Sequence, residues 1–250
     1  MAKKVLNAFL NKTDLSEFGE KKIERMNTRR RLPAIILVDT SGSMEGYENL
    51  LKGAVEGLYD AILADRTARA SVELCVLTFN SDIEILEPLR EIGQQEARGR
   101  NLNFHCDGVT LTGLALKAAI SQLECRLQAY NNHTPTIRHY APLLFLISDG
   151  KPECYDDHVI PQENLAMLEA KKYICQEVAN NRLVVVSVEV GNQCDHNLMI
   201  ELTGLRDDKH VKRVNNAAEL GNFFKVTSSI IIGGSRNGTG LLNSTKFDNM

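Results

Sequence analysis

From residue 32 onward, two hydrophobic patterns alternate along the chain. Short continuous apolar runs occur at Leu32 to Val38 (LPAIILV), Ser71 to Phe79 (SVELCVLTF), Pro142 to Ser148 (PLLFLIS) and Leu183 to Val190 (LVVVSVEV). Runs of this kind suit strands buried on both faces, as in a parallel sheet covered by helices. Pro33 stands at the start of the first run, where a strand tolerates a missing donor. Between the runs, apolar residues recur at helical spacing: Leu50, Leu51, Ala54, Val55, Leu58 and Ile62 predict an amphipathic helix over Glu48 to Ala64. The same reasoning predicts helices over Thr112 to Ala129 and Asn164 to Ala179. A short helix near Asn197 to Thr203, a short strand at Val211 to Val214 and a helix from Ala217 to about Ser229 follow. Asn80, Ser81 and Asp82 make a turn too short for a crossover, so Ile83 to Leu86 is expected to return antiparallel at the edge of the sheet. Pro88 to Asp107 has little periodicity and is expected to hold one short helix before a loop. The alternation predicts an α/β doubly wound domain: a mostly parallel sheet with one antiparallel edge strand and helices on both faces.

Charge divides the chain. Residues 1–31 hold nine Lys/Arg against four acids, a net of +5, and the other 219 residues carry 20 positive and 28 negative charges, a net of −8. The expected organisation is a basic N-terminal extension over 1–31, one domain over 32–232 and a flexible tail over 233–250 rich in Gly, Asn, Ser and Thr. Short apolar pairings in the extension (Val5, Leu6, Phe9, Leu10, then Leu15, Phe18, Ile23, Met26) predict one or two amphipathic helices, packed on the body or serving as a docking element for an acidic partner. Arg29 to Arg31 abut the first buried strand without interleaved aromatics, which argues against nucleic acid as a partner. Val5 to Leu10 is too short and too polar for a signal peptide, and no apolar stretch reaches the ~20 residues that span a bilayer. With six cysteines 19 to 31 residues apart and no C-x-x-C pair, the expectation is reduced thiols in a cytoplasmic protein. Cys75 and Cys175 lie in apolar segments and are expected in the core; Cys154 and Cys194 lie in polar loops.

Open α/β sheets bind ligands at the carboxyl ends of their strands. Asp39-Thr40-Ser41-Gly42-Ser43 follows the first strand and Asp149-Gly150 follows the PLLFLIS strand. Gly108-Val109-Thr110-Leu111-Thr112-Gly113 stands where the helix at Thr112 begins. Three loops therefore bring two carboxylates and several hydroxyls to one sheet edge. This oxygen-only set suits a hard divalent cation, which uses one or two carboxylates and keeps several waters. Ser41, Ser43 and Thr110 are placed to ligate directly, with Asp39 and Asp149 supplying charge directly or through water. An acidic side chain of another protein would complete the shell. Each loop alone also reads as ordinary helix capping or a turn; the five positions in order carry the metal reading.

D-x-S-x-S, a downstream Thr in G-x-T-x-x-G and a later Asp-Gly resemble the metal-ion-dependent adhesion site of von Willebrand factor A (VWA) domains, with Asp39, Ser41, Ser43, Thr110 and Asp149 at the five positions. The match runs from residue 32 to about 229 and implies a VWA/Rossmann-like fold holding Mg²⁺, with Mn²⁺ as the alternative. Val109 stands where a glycine is common and Ser148 where a threonine is common; neither departure removes a ligand. R-R-L-P before the first strand, D-T-S-G-S-M, S-D-G-K-P and F-F-K-x-x-S-S-I (Phe223 to Ile230) are similar to bacterial TerY-type stand-alone VWA proteins of tellurium-resistance and stress systems. That resemblance implies a non-enzymatic interaction module whose partners include a Ser/Thr kinase and a PP2C-type phosphatase, in stress-response or phage-defence settings. It also implies coupling of the last helix to the metal face.

Two rivals stay open. One is an adaptor subunit of an AAA+ (MoxR/chelatase-like) ATPase complex; the other is a metal-dependent phosphohydrolase. The chain has no G-x-x-x-x-G-K-[ST] and no G-x-S-x-G, and Asp39-Thr40-Ser41 lacks the second aspartate of an aspartyl-phosphate phosphatase. No catalytic residue is therefore expected. His105 with Asp107, and Asp156-Asp157-His158, either rim the site or form solvated loops.

Overall fold

The computed structural model describes residues 3–4, 30–95, 102–149, 152–191, 194–216, 218–223 and 226–227. The amphipathic helices expected in the extension and the tail after residue 232 fall outside them. The strands are β1 (Lys3–Lys4), β2 (Leu32–Asp39), β3 (Val72–Phe79), β4 (Ile83–Glu91), β5 (Leu143–Ser148), β6 (Val184–Val190) and β7 (Val211–Val214). They form one sheet in the order β1-β4-β3-β2-β5-β6-β7. Strands β2, β3, β5, β6 and β7 run parallel, β4 is antiparallel to β3, and the two residues of β1 pair antiparallel with Ile85 and Glu84 of β4. The doubly wound reading and its antiparallel edge hold, with the short β1 added outside β4.

The continuous runs became strands because both faces are covered. Along β2, Leu32, Ala34, Ile36 and Val38 enter a core with α1 (Glu48–Ala64) and Phe223, while Ile35 and Leu37 enter a second core with α3 (Thr112–Asn132), α4 (Ile160–Ala179) and α5 (His196–Leu202). Every residue of β2 and β3 is buried. Phe223, in the helical turns at 218–223, stacks edge-on against Phe145 of β5 with ring centroids 6.2 Å apart.

Several boundaries differ from the sequence reading. β4 runs on to Glu91, and a 3₁₀ turn, Ile92–Gln94, follows it. Pro88 is accommodated because the β3–β4 register slips there, with Leu74 opposite Arg90 but Val76 opposite Glu87, so the missing N–H falls at an irregularity. A short helix, α2 (Arg66–Ser71), precedes β3; the Asp65 side chain caps it by accepting from Thr67 N and Ala68 N. Helix α4 starts four residues early because Pro161 is tolerated in a first turn, where its N–H is not needed. Cys175 is exposed on α4 and Cys75 is buried; all six thiols are free.

At the amino ends of the strands lies a buried charge cluster. Glu73 accepts from Arg126 Nε at 2.5 Å, Arg126 Nη2 at 2.9 Å and Tyr130 Oη at 2.5 Å, with Arg31 Nε 3.7 Å away. Arg31 Nη2 reaches Glu91 Oε1 at 2.5 Å. Arg31, weighed above as part of a basic run, is thus fully buried and paired, and the Arg30 guanidinium lies over the Tyr140 ring at 4.9 Å. Among the described residues, no helix is long and apolar enough to cross a membrane.

Candidate metal centre

The chain leaves β2 outward in both directions, to β3 on one side and later to β5 on the other, so a topological switch point lies between the carboxyl ends of β2 and β5. Asp39 ends β2 and Asp149 follows β5. Val38 is in register with Ile147, which sets the next residues, Asp39 and Ser148, side by side. Ser148 Oγ donates to Asp39 Oδ2 at 2.6 Å, and Ser41 N donates to Asp39 Oδ1 at 2.8 Å. Ser41 Oγ and Ser43 Oγ lie 3.1 Å apart, and Ser43 Oγ donates to Asp149 Oδ1 at 2.8 Å. Four of the five expected residues therefore form one hydrogen-bonded chain from Asp39 to Asp149. Ser148, noted in the sequence only as a departure from a pattern, is the link between the strands.

Thr110 comes to the same edge through backbone bonds of its loop. Asp107 N donates to Thr40 O at 2.9 Å, and Gly42 N to Gly108 O at 3.1 Å. The turn after β3 supports the loop from behind: Asn80 Nδ2 donates to Asp107 Oδ1 at 2.8 Å and Val109 N to Ser81 Oγ at 3.0 Å. Gly108 has φ +71°, and a Cβ there would lie 2.1 Å from Ser81 Oγ, so only glycine fits. Beyond it, Thr110 and Glu153 exchange backbone bonds of 2.9 and 3.2 Å, tying this loop to the one that follows Asp149. The buttressing by Asn80 and Ser81 was not read from the sequence, where those residues counted only as a hairpin turn.

Burial pushes the Asp39 carboxyl up to about 6, against the opposing effect of the Ser148 and Ser41 hydrogen bonds and with help from the nearby charge of Asp149. Asp149 is also raised, again by burial first, with the Ser43 hydrogen bond opposing. Asp39 is fully buried and Asp149 half-buried, and among the described residues no cationic side chain is a cause of either shift, so a divalent cation would compensate the pair. Cys106 and Cys194 lie near the site, but burial foremost pushes both thiols up to about 12, so neither is a thiolate near neutral pH. Among the described residues no group of three His, Cys, Asp or Glu is arranged to hold a metal. The donor set is the hard one, two carboxylates plus serine and threonine hydroxyls, and it fits a divalent cation. His105 and Asp107 form an exposed pair 3.7 Å apart, and Asp156 Oδ1 accepts from His158 N within an exposed loop.

A family model of the von Willebrand factor type A domain matches residues 35–226, and the chain belongs to that family. Solved structures share its fold. The von Willebrand factor type A from Catenulispora acidiphila is 16% identical with a TM-score of 0.59, covering 82% of this chain and 43% of that one. Proximal thread matrix protein 1 from the mussel byssus, solved with a zinc-occupied MIDAS motif, is 15% identical with a TM-score of 0.56, covering 81% and 48%. The manganese-loaded TRAP protein of Plasmodium vivax is 17% identical with a TM-score of 0.54, covering 77% and 71%. The chain thus spans less than half the length of the first two. The comparison with curated proteins gives no match.

Proposed function

We propose that this chain is a metal-dependent protein-interaction module in which Asp39, Ser41, Ser43, Thr110 and Asp149 hold Mg²⁺, or Mn²⁺ in its place. The observation that carries this reading is the continuous hydrogen-bonded chain joining Asp39, Ser41, Ser43 and Asp149 at the switch point. Both Asp39 oxygens accept a protein hydrogen bond and keep a further lone pair, so Asp39 would supply charge to the ion directly or through water, and the Ser41, Ser43 and Thr110 hydroxyls with Asp149 would complete the protein's share of the shell. When bound, the cation offers a Lewis-acidic position to a partner carboxylate. The chain's own residues orient that position: Ser148 and Ser41 fix Asp39, and the Gly108 turn presents Thr110.

The module spans residues 32–232 in this reading and works without catalysis, in the cytoplasm. The motif resemblance to TerY-type proteins supports a place in a bacterial stress-response, tellurium-resistance-like or phage-defence system, with a Ser/Thr kinase and a PP2C-type phosphatase as partners. The basic extension, 1–31, serves as a second docking element. The test is affinity capture of those partners with Mg²⁺ and with EDTA, using wild type and Asp39→Ala. Capture is expected only by wild type in Mg²⁺; binding that survives both EDTA and Asp39→Ala in a folded protein would sink the proposal.

A further inference from the structure

The helix that leads away from the metal loop lacks a cap of its own. Leu111 occupies the N-cap position of α3 and offers no side-chain acceptor to the first turn, so those N–H groups must find partners elsewhere. They find Glu163, in the first turn of α4: Oε1 accepts from Gly113 N at 2.5 Å and Oε2 from Leu114 N at 2.9 Å. Glu163 is 5% exposed, so the carboxylate is committed to this role and shielded from water. The approach depends on Gly113, where a Cβ would lie 2.5 Å from Glu163 O and 2.6 Å from Met167 N. One stretch of chain, running from Asp149 to Glu163, therefore grips the Thr110 loop twice. Glu153 ladders to Thr110 itself, and Glu163 holds the turn three to four residues later.

We propose that Glu163 is a positioning residue of the metal centre: through the first turn of α3 it sets where the Thr110 side chain stands relative to Ser43 and Asp149. This rests on the metal-centre reading above. A carboxylate at a helix N-terminus is favoured by the aligned backbone dipoles, and its two oxygens match the two free N–H groups. The hold is thus directional as well as adhesive. A second α3–α4 contact, Lys117 Nζ to Glu169 Oε2 at 2.5 Å, joins the same helices at exposed positions further along and makes an internal control.

The test titrates Mn²⁺ alone into the full chain, for wild type, Glu163→Gln, Glu163→Ala and Glu169→Gln, with thermal unfolding and hydrogen exchange of the metal-free proteins alongside. Glu163→Gln keeps the shape and one acceptor, so it should fold; Mn²⁺ affinity should fall about tenfold, as when a group supporting a metal ligand is lost. Exchange at the Gly113 and Leu114 amides should quicken. Glu163→Ala should bind more weakly still, and Glu169→Gln should keep wild-type affinity. If Glu163→Gln melts earlier yet binds Mn²⁺ like wild type, Glu163 is only a structural cap and the inference is overturned. If wild type itself takes no Mn²⁺, the metal-centre reading fails and this one with it, so the two failures are told apart. Should Glu163→Ala not fold, Glu163→Gln decides alone.

Discussion

Asp39 places a carboxylate where a carboxylate is uncomfortable. It is fully buried, and burial moves its pKa from the ordinary 3.8 up to about 6. Between those values the folded metal-free protein still holds a proton that the unfolded chain has released. Stability of the metal-free form therefore falls as pH rises from about 4 to 6, by roughly 2 to 3 kcal/mol in all. A bound cation offsets that cost above pH 6 and has little to offset at pH 5. Mg²⁺ is thus expected to raise the melting temperature at pH 7.5 far more than at pH 5. Asp39→Asn removes the charge but keeps the shape; at pH 7.5 it should melt higher than metal-free wild type and lose the Mg²⁺ response. Differential scanning fluorimetry with and without Mg²⁺ checks both points, and an equal Mg²⁺ shift in wild type and variant would count against Asp39. At this scale the positions of the candidate ligands were legible, since Asp39, Ser41, Ser43, Thr110 and Asp149 all follow strands or precede a helix in the expected places. Ser148 and Glu163 were not legible, because their partners lie 109 and about 50 residues away in sequence.

Helices and strands were legible where one local rule dominates. Glu48–Ala64 and Leu143–Ser148 match the periodic reading because an amphipathic face or a buried run leaves no alternative. The reading failed where neighbours outside the element decide: Pro88 inside β4 depends on a register slip against β3, and Cys175 is exposed because its face of α4 has no described covering element. Glycines show the same divide. Gly53 and Gly57 lie in α1 with nothing within 4 Å of an added Cβ, so alanine at either should stabilise by about 0.5 to 1 kcal/mol through helix propensity. Gly113→Ala should instead cost about 3 kcal/mol, because the clash is with α4 backbone and rotamers cannot relieve it. Urea denaturation of the three variants checks the opposite signs; a neutral Gly113→Ala would mean that α3 and α4 part easily.

A buried charge cluster and the candidate metal centre lie at opposite ends of one sheet. The Glu73, Arg126, Tyr130 and Arg31 cluster sits at the amino ends of the strands, and Asp39 and Asp149 of the candidate metal centre at the carboxyl ends. Glu73→Gln leaves two buried guanidiniums under-compensated and should cost about 3 to 5 kcal/mol. Mn²⁺ affinity of the folded variant should stay at the wild-type value; urea denaturation and a Mn²⁺ titration measure the two separately, and a joint loss would show that the ends are coupled. The amino-acid sequence by itself determined the fold class, the antiparallel edge and the five oxygen-bearing positions, because hydrophobic period and the order of strand ends are properties of the chain read locally. Only the tertiary structure decided that Arg31 turns inward, that Ser148 bridges to Asp39, and that α3 takes its cap from α4. Those pairings join residues far apart in sequence, and a group needing a partner does not announce which distant one the packing will bring.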